Sequence, residues 1–242
     1  DNTIILNREI EGDEAVISFL NSGTEIIWKN LVVECNNVTH TGTANKLTSL
    51  SSTTSPFTGY IDGMEFRNPL TPSLSAGYIS LPVCDINNLK MPTNLTIQTF
   101  GAQDAALTNS KVNGFIWLRF QNYLNTGVGT FTTYTVDNVD INIDDATRLG
   151  TFYAISVGRS ANRPDVNIEV KNSTIDIVSG NKFLDLWHYG TTLFEDVKFA
   201  TGTAAQSIDI TSRATGDVVA FKNCEFNDNI TSLVVRAGDK IL

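Results

Sequence analysis

Cysteine and histidine are scarce in this chain of 242 residues. Cys35, Cys84 and Cys224 are far apart and make no metal-ligand spacing. His40 and His188 are the only histidines, which excludes a His-rich metal site. Charge is thin, at 18% of residues, and 26 acidic against 17 basic side chains leave a net charge of −9. A pI near 4.6 offers no basic stripe for a nucleic-acid partner. No run of 18 apolar residues exists, so no transmembrane helix is expected. The chain begins at Asp1 with no signal-peptide h-region, which reads as a processed or cut chain.

What is plentiful points to strands and tight turns. There are 24 Asn, 29 Thr and 17 Gly, and a hydrophobic fraction of 41% can supply a core. A repeat is visible in four segments of the C-terminal half: TYTVDNVDINID (133–144), NIEVKNSTIDIV (167–178), TTLFEDVKFATG (191–202) and VVAFKNCEFNDN (218–229). Each is an alternating strand, a polar pair, and a second alternating strand. Earlier copies are IIWKNLVVEC (26–35) and GYIDGMEFRN (59–68), with a degraded one near VCDINNLKM (83–91).

The residue between the two strands is Asn30, Gly63, Asn138, Asn172, Asp196 or Asn223. These types tolerate the left-handed backbone that a sharp bend between strands requires. Alternation then sends two columns inward. The first is Leu31, Met64, Val139, Ser173, Val197 and Cys224; the second is Val33, Phe66, Ile141, Ile175, Phe199 and Phe226. Cys224 therefore reads as a small core side chain rather than a reactive thiol. A third strand follows in YAISVGR (153–159), FLDLWHY (183–189), SIDITSR (207–213) and SLVVRAG (232–238), with FIWLRF (115–120) as an earlier equivalent. Their first inward residues, Ile155, Leu184, Ile208 and Leu233, are 29, 24 and 25 residues apart. Three short strands in such a period make one coil of a solenoid.

In these turn and core positions the chain resembles the right-handed parallel β-helix of the pectin-lyase-like superfamily, most clearly from residue 133 onward. The resemblance implies a bias toward long glycans held along the flank of the helix. It carries no catalytic signature, and a fold alone does not establish function. The expected fold is all-β, a single right-handed parallel β-helix of about seven to eight coils over residues 1–242. Residues 1–25 would form the first coil, and 39–56, 102–113 and 144–165 read as polar loop insertions. Neither end shows a capping helix, so a neighbouring domain or subunit is expected to cover an open end.

Candidate chemistry lies on the outward face of the third strands. One outward column is Trp117, Ser156, Asp185, Asp209 and Val234; the other is Arg119, Gly158, Trp187, Thr211 and Arg236. Asp185 and Asp209 would stack on adjacent coils about 4.8 Å apart, with Trp187 beside them. Such an aromatic and acidic patch suits a sugar, whose apolar face covers the ring while carboxylates take its hydroxyls. Trp187, Asp185, Asp209, Trp117 and Arg119 are therefore the expected glycan-binding residues. A glycosidase would need two close carboxyl groups, and a lyase would add calcium and a base such as Arg213. That makes Asp185, Asp209 and Arg213 the catalytic candidates. The Asp-rich stretch 137–145 reads as a solvated edge rather than a metal site, and no cofactor is otherwise expected. His188 points inward or into a turn and reads as packing.

The first functional expectation is an extracellular, cell-surface or virion-surface module, structural or polysaccharide-binding, within a larger assembly. The alternative is a secreted polysaccharide lyase or glycoside hydrolase working on the flank.

Overall fold

The computed structural model describes residues 2–6, 9–10, 15–19, 25–35, 39–40, 46–50, 58–67, 78–82, 84–92, 94–99, 103–120, 131–143, 153–158, 164–177, 182–202, 206–212, 218–235 and 240–241. Among them every element is a strand. The strands form a 14-stranded sheet, a 9-stranded sheet and a short pair joining Glu9–Ile10 to Thr39–His40. All pairings within the two large sheets are parallel, and each strand's neighbours are the previous and next passes of the chain. The chain alternates between them: Asn2–Leu6 in the larger sheet, Ala15–Phe19 in the smaller, Glu25–Cys35 in the larger, Lys46–Leu50 in the smaller, and onward to Ile230–Val235. This all-parallel stack is compatible with a β-solenoid.

The bend positions divide the passes of the larger sheet into two arms, one running through Val218–Lys222 and the other to Glu225–Phe226. Asn30, Asn138, Asn172, Asp196 and Asn223 have φ of 50°, 55°, 47°, 55° and 52°, and Gly63 has 72°. Each is flanked by the same hexad: an inward apolar residue, a polar one, the left-handed residue, then inward, outward, inward. At Gly63 a Cβ would also come within 2.7 Å of Asn30 Oδ1.

Two further copies carry the same bend, at Asn88 (53°) and Asn109 (49°). The first belongs to the degraded copy. The second corrects the expectation for 102–113, which is not a loop: Ala105–Val112 is a strand paired over its length with Thr132–Ile143. Ser110 hid this copy, because it occupies a core position with a polar side chain. It is buried, accepts the Leu89 N–H at 2.9 Å and donates to the Thr108 carbonyl at 2.6 Å. Within 39–56, likewise, Lys46–Leu50 is a strand of the smaller sheet, and within 144–165 the strand Tyr153–Gly158 is the third strand expected at 153–159.

The two inward columns are buried through the middle of the stack. Met64, Val139, Ser173 and Val197 fill the first; Val33, Phe66, Ile141, Ile175 and Phe199 fill the second. Parallel layers about 4.8 Å apart put like positions in contact, and each large apolar side chain so buried contributes about 1.5–3 kcal/mol. The columns thin at the ends. Leu31 and Cys224 are only partly buried, and Phe226 is 45% exposed in the strand Glu225–Phe226. Phe194 and Phe221 stack at 5.2 Å, as do Phe199 and Phe226, so two adjacent layers near the C-terminal end carry a double aromatic column, with Lys240–Ile241 paired beyond them along Val218–Val219.

Candidate functional site

The outward face of the smaller sheet brings two tryptophans to either side of one glycine. Ile116–Phe120 and Lys182–Trp187 flank Tyr153–Gly158, with Trp117 paired to Ser156 and Gly158 paired to Trp187. The Trp117 indole crosses to the central strand, where Nε1–H donates to the Gly158 carbonyl at 3.0 Å. Gly158 has φ of 66°, a conformation that costs an L side chain about 1–2 kcal/mol. Trp117, Trp187 and Asp185 are all half-buried, leaving part of each to solvent.

The expected carboxylate stack is not formed in register. Asp185 follows Trp117 and Ser156 in one row, but its partner on the far side is Thr211. Leu184 pairs with Ile210 rather than Ile208, a slip of two residues from the expected alignment. Asp209 instead pairs with Val234, and lies on the diagonal from Asp185, where Cα atoms are roughly 7–8 Å apart. Asp185 and Asp209 are 24 residues apart in sequence, whereas the observed pairing of Leu184 with Ile210 spans 26. Arg119 sits in its strand opposite Gln98; its side chain, that of Asp209, and the whole of Arg213 and Arg236 lie outside the described residues.

His188 is a packed residue. It is 1% exposed, donates from Nδ1–H to the Val166 carbonyl at 2.9 Å, and accepts at Nε2 from the Thr192 hydroxyl at 2.9 Å. Burial pushes its pKa down to about 4, against the smaller opposing effect of the carbonyls of Val166 and Tyr189. Burial likewise raises the Cys84 thiol to about 12, with Asp85 adding to the effect. Neither group is poised for acid–base or nucleophilic work near neutrality.

In the Asp-rich stretch Asp137 and Asp140 are paired within the stack, while Asp144 and Asp145 lie outside the described residues. Asp137 accepts from Asn172 Nδ2 at 2.8 Å, and Asp140 faces Lys111 at 3.6 Å. Among the described residues no three His, Cys, Asp or Glu side chains converge as metal ligands.

A polar groove runs along the line of bends. A hollow of about 300 Å³ is lined by Asn88, Asn109, Asn138, Lys90, Lys111 and Asp140, among others. It continues as one of about 290 Å³ that shares Asn172 and Thr174 and reaches Lys198 and Asn223. Amides form a ladder across it. Asn138 Nδ2 donates to Asn109 Oδ1 at 2.7 Å, Asn109 to Asn87 at 2.8 Å, and Asn87 to Asp62 at 2.7 Å. The signal was in the same hexads, whose outward positions place Glu65, Lys90, Lys111 and Asp140 in one row.

No family model, curated protein or solved structure matches the chain.

Proposed function

We propose that this chain is a non-enzymatic polysaccharide-binding module of an extracellular, cell-surface or virion-surface assembly. In this reading its stack is a right-handed β-helix of about seven to eight coils, and the glycan lies across the outer face of the smaller sheet. The observation that carries the proposal is the Trp117–Gly158–Trp187 arrangement. A hydrogen bond to the Gly158 carbonyl holds the Trp117 indole across the sheet, and Trp187 stands on the other side of the same residue. Two part-exposed aromatic surfaces near Asp185 suit sugar rings with their hydroxyls.

A hydrolase is the weaker reading. A retaining enzyme needs carboxyl groups about 5–5.5 Å apart, whereas Asp185 is paired with Thr211. A neighbouring subunit or domain near the C-terminal end of the stack is part of the proposal, supported by the 45% exposure of Phe226.

Affinity electrophoresis in gels containing neutral and acidic polysaccharides tests the binding face. Retardation by at least one polysaccharide, lost in both Trp117→Ala and Trp187→Ala, is expected. Equal retardation of the variants and the parent protein would remove this face from consideration. Release of unsaturated or reducing ends, abolished by Asp185→Ala, would overturn the non-enzymatic reading.

A further inference from the structure

The row of side chains just beyond the bends reads Glu65, Lys90, Lys111, Asp140 on four consecutive layers. Two lysines thus stand on adjacent layers about 4.8 Å apart, an arrangement that like charges disfavour. Each is drawn to the acid on its outer side: Lys90 Nζ lies 3.7 Å from Glu65, and Lys111 Nζ lies 3.6 Å from Asp140. Both contacts exceed the 2.7–2.9 Å or so of a charge-assisted hydrogen bond. The ammonium groups lean apart, remain 65% and 56% exposed, and border the bend groove.

The groove floor has donors to spare. The Asn109 and Asn138 amide nitrogens each commit one hydrogen to the ladder, and an amide carries two. A chain of hydroxyls along the floor would meet a donor and an acceptor on successive layers, while the gap between Lys90 and Lys111 would take a negative group.

We propose that this groove is a binding site for an anionic saccharide, with a single oxyanion group, carboxylate or sulfate, bridging Lys90 and Lys111. The oxyanion replaces two long ion pairs with short charge-assisted hydrogen bonds and relieves the repulsion between the lysines. The site lies on the line of bends, away from the tryptophan face, and does not depend on a glycan binding there.

Isothermal titration calorimetry with four probes tests it: a uronate tetrasaccharide, its neutral methyl ester, a sulfated tetrasaccharide of equal length, and inorganic sulfate alone. Lys90 and Lys111 are exposed, so the double variant Lys90→Gln/Lys111→Gln is expected to melt with the parent protein. It should lose about tenfold or more in affinity for a charged tetrasaccharide, and the parent should prefer the charged probe to the neutral ester by a similar factor. Glu65→Gln, which frees Lys90 from its acid, should tighten binding. Trp187→Ala should leave this binding unchanged, which separates the groove from the tryptophan face. Whether the uronate or the sulfated probe binds identifies the oxyanion. Parent-like affinity in the double variant, equal affinity for the neutral ester, or inorganic sulfate binding as tightly as both oligosaccharides would overturn the site.

Discussion

The Ser173 hydroxyl accepts the Val139 amide hydrogen at 3.1 Å from inside the core. Val139 follows the left-handed Asn138, which turns its N–H off the sheet ladder and toward the interior. Ser173, one layer on, supplies the acceptor and donates its own O–H to the Lys171 carbonyl at 2.5 Å. Ser110 does the same for Leu89 and Thr108. Cys224 takes the equivalent place, with Sγ 3.6 Å from the Lys222 carbonyl. A small donor–acceptor side chain in one layer therefore completes the backbone of the layer before it.

Ser173→Ala removes that partner and leaves a buried N–H behind, a loss of about 1–3 kcal/mol. Ser173→Cys, which keeps a weak donor and acceptor as at Cys224, should recover part of it. Urea denaturation of the three proteins gives the comparison, and an alanine variant as stable as the parent would show that water reaches Val139.

The bend itself can be separated from its side-chain ladder at Asn138, whose φ is 55° and whose Nδ2 donates to Asn109. Asn138→Ala loses both the left-handed tolerance, about 1–2 kcal/mol, and the amide bond. Asn138→Gly loses the bond but keeps the backbone. The glycine variant should therefore be the more stable of the two in thermal melts; the opposite order would mean that the ladder, not the bend, dominates.

These bends were the legible part of the chain. Asn, Asp and Gly between alternating strands announced six of them, because an unfavourable backbone leaves its mark on residue type. The inward columns followed by counting. What stayed hidden was hidden by chemistry or by spacing. Ser110 disguised a core position as a loop, since a satisfied buried hydroxyl looks like a surface residue in sequence. The pairing of Asp185 with Thr211 rather than Asp209 depends on how the chain between Trp187 and Gln206 is used up, which alternation within a strand does not report. Lys90 and Lys111 were visible one by one, but their adjacency is a property of register between passes.

His188 gives the fold a pH dependence. Its folded pKa is about 4, below the 6.5 of a free imidazole. Between these values the unfolded chain binds the extra proton and the folded one does not, so stability falls as pH drops from 6.5 toward 4. The full difference, reached below 4, is about 3 kcal/mol. Glu65 and Glu195, held low by hydrogen bonds from Arg67 and Lys222, add their losses only below the usual carboxylate range near 4.5. Urea midpoints from pH 7.5 to 4.5 should therefore fall before those carboxylates titrate. In NMR titrations the His188 ring should stay neutral at pH 5.5, and a midpoint near 6.5 would contradict its burial.

The aromatic column at the C-terminal layers offers a measure of what covers them. Phe199 is fully buried among Phe183, Phe194 and Phe221, and it stacks on Phe226. Phe199→Ala should cost about 3–5 kcal/mol. Phe226 keeps 45% of its surface exposed, so its truncation removes less buried area and leaves no enclosed cavity; about 1 kcal/mol is expected. Urea unfolding of the dilute protein measures both losses. If the two variants lose the same amount, Phe226 is covered in solution by more than the layer it stacks on. A loss at Phe226 that grows with protein concentration would identify that cover as a second copy of the chain, because only an association is concentration-dependent.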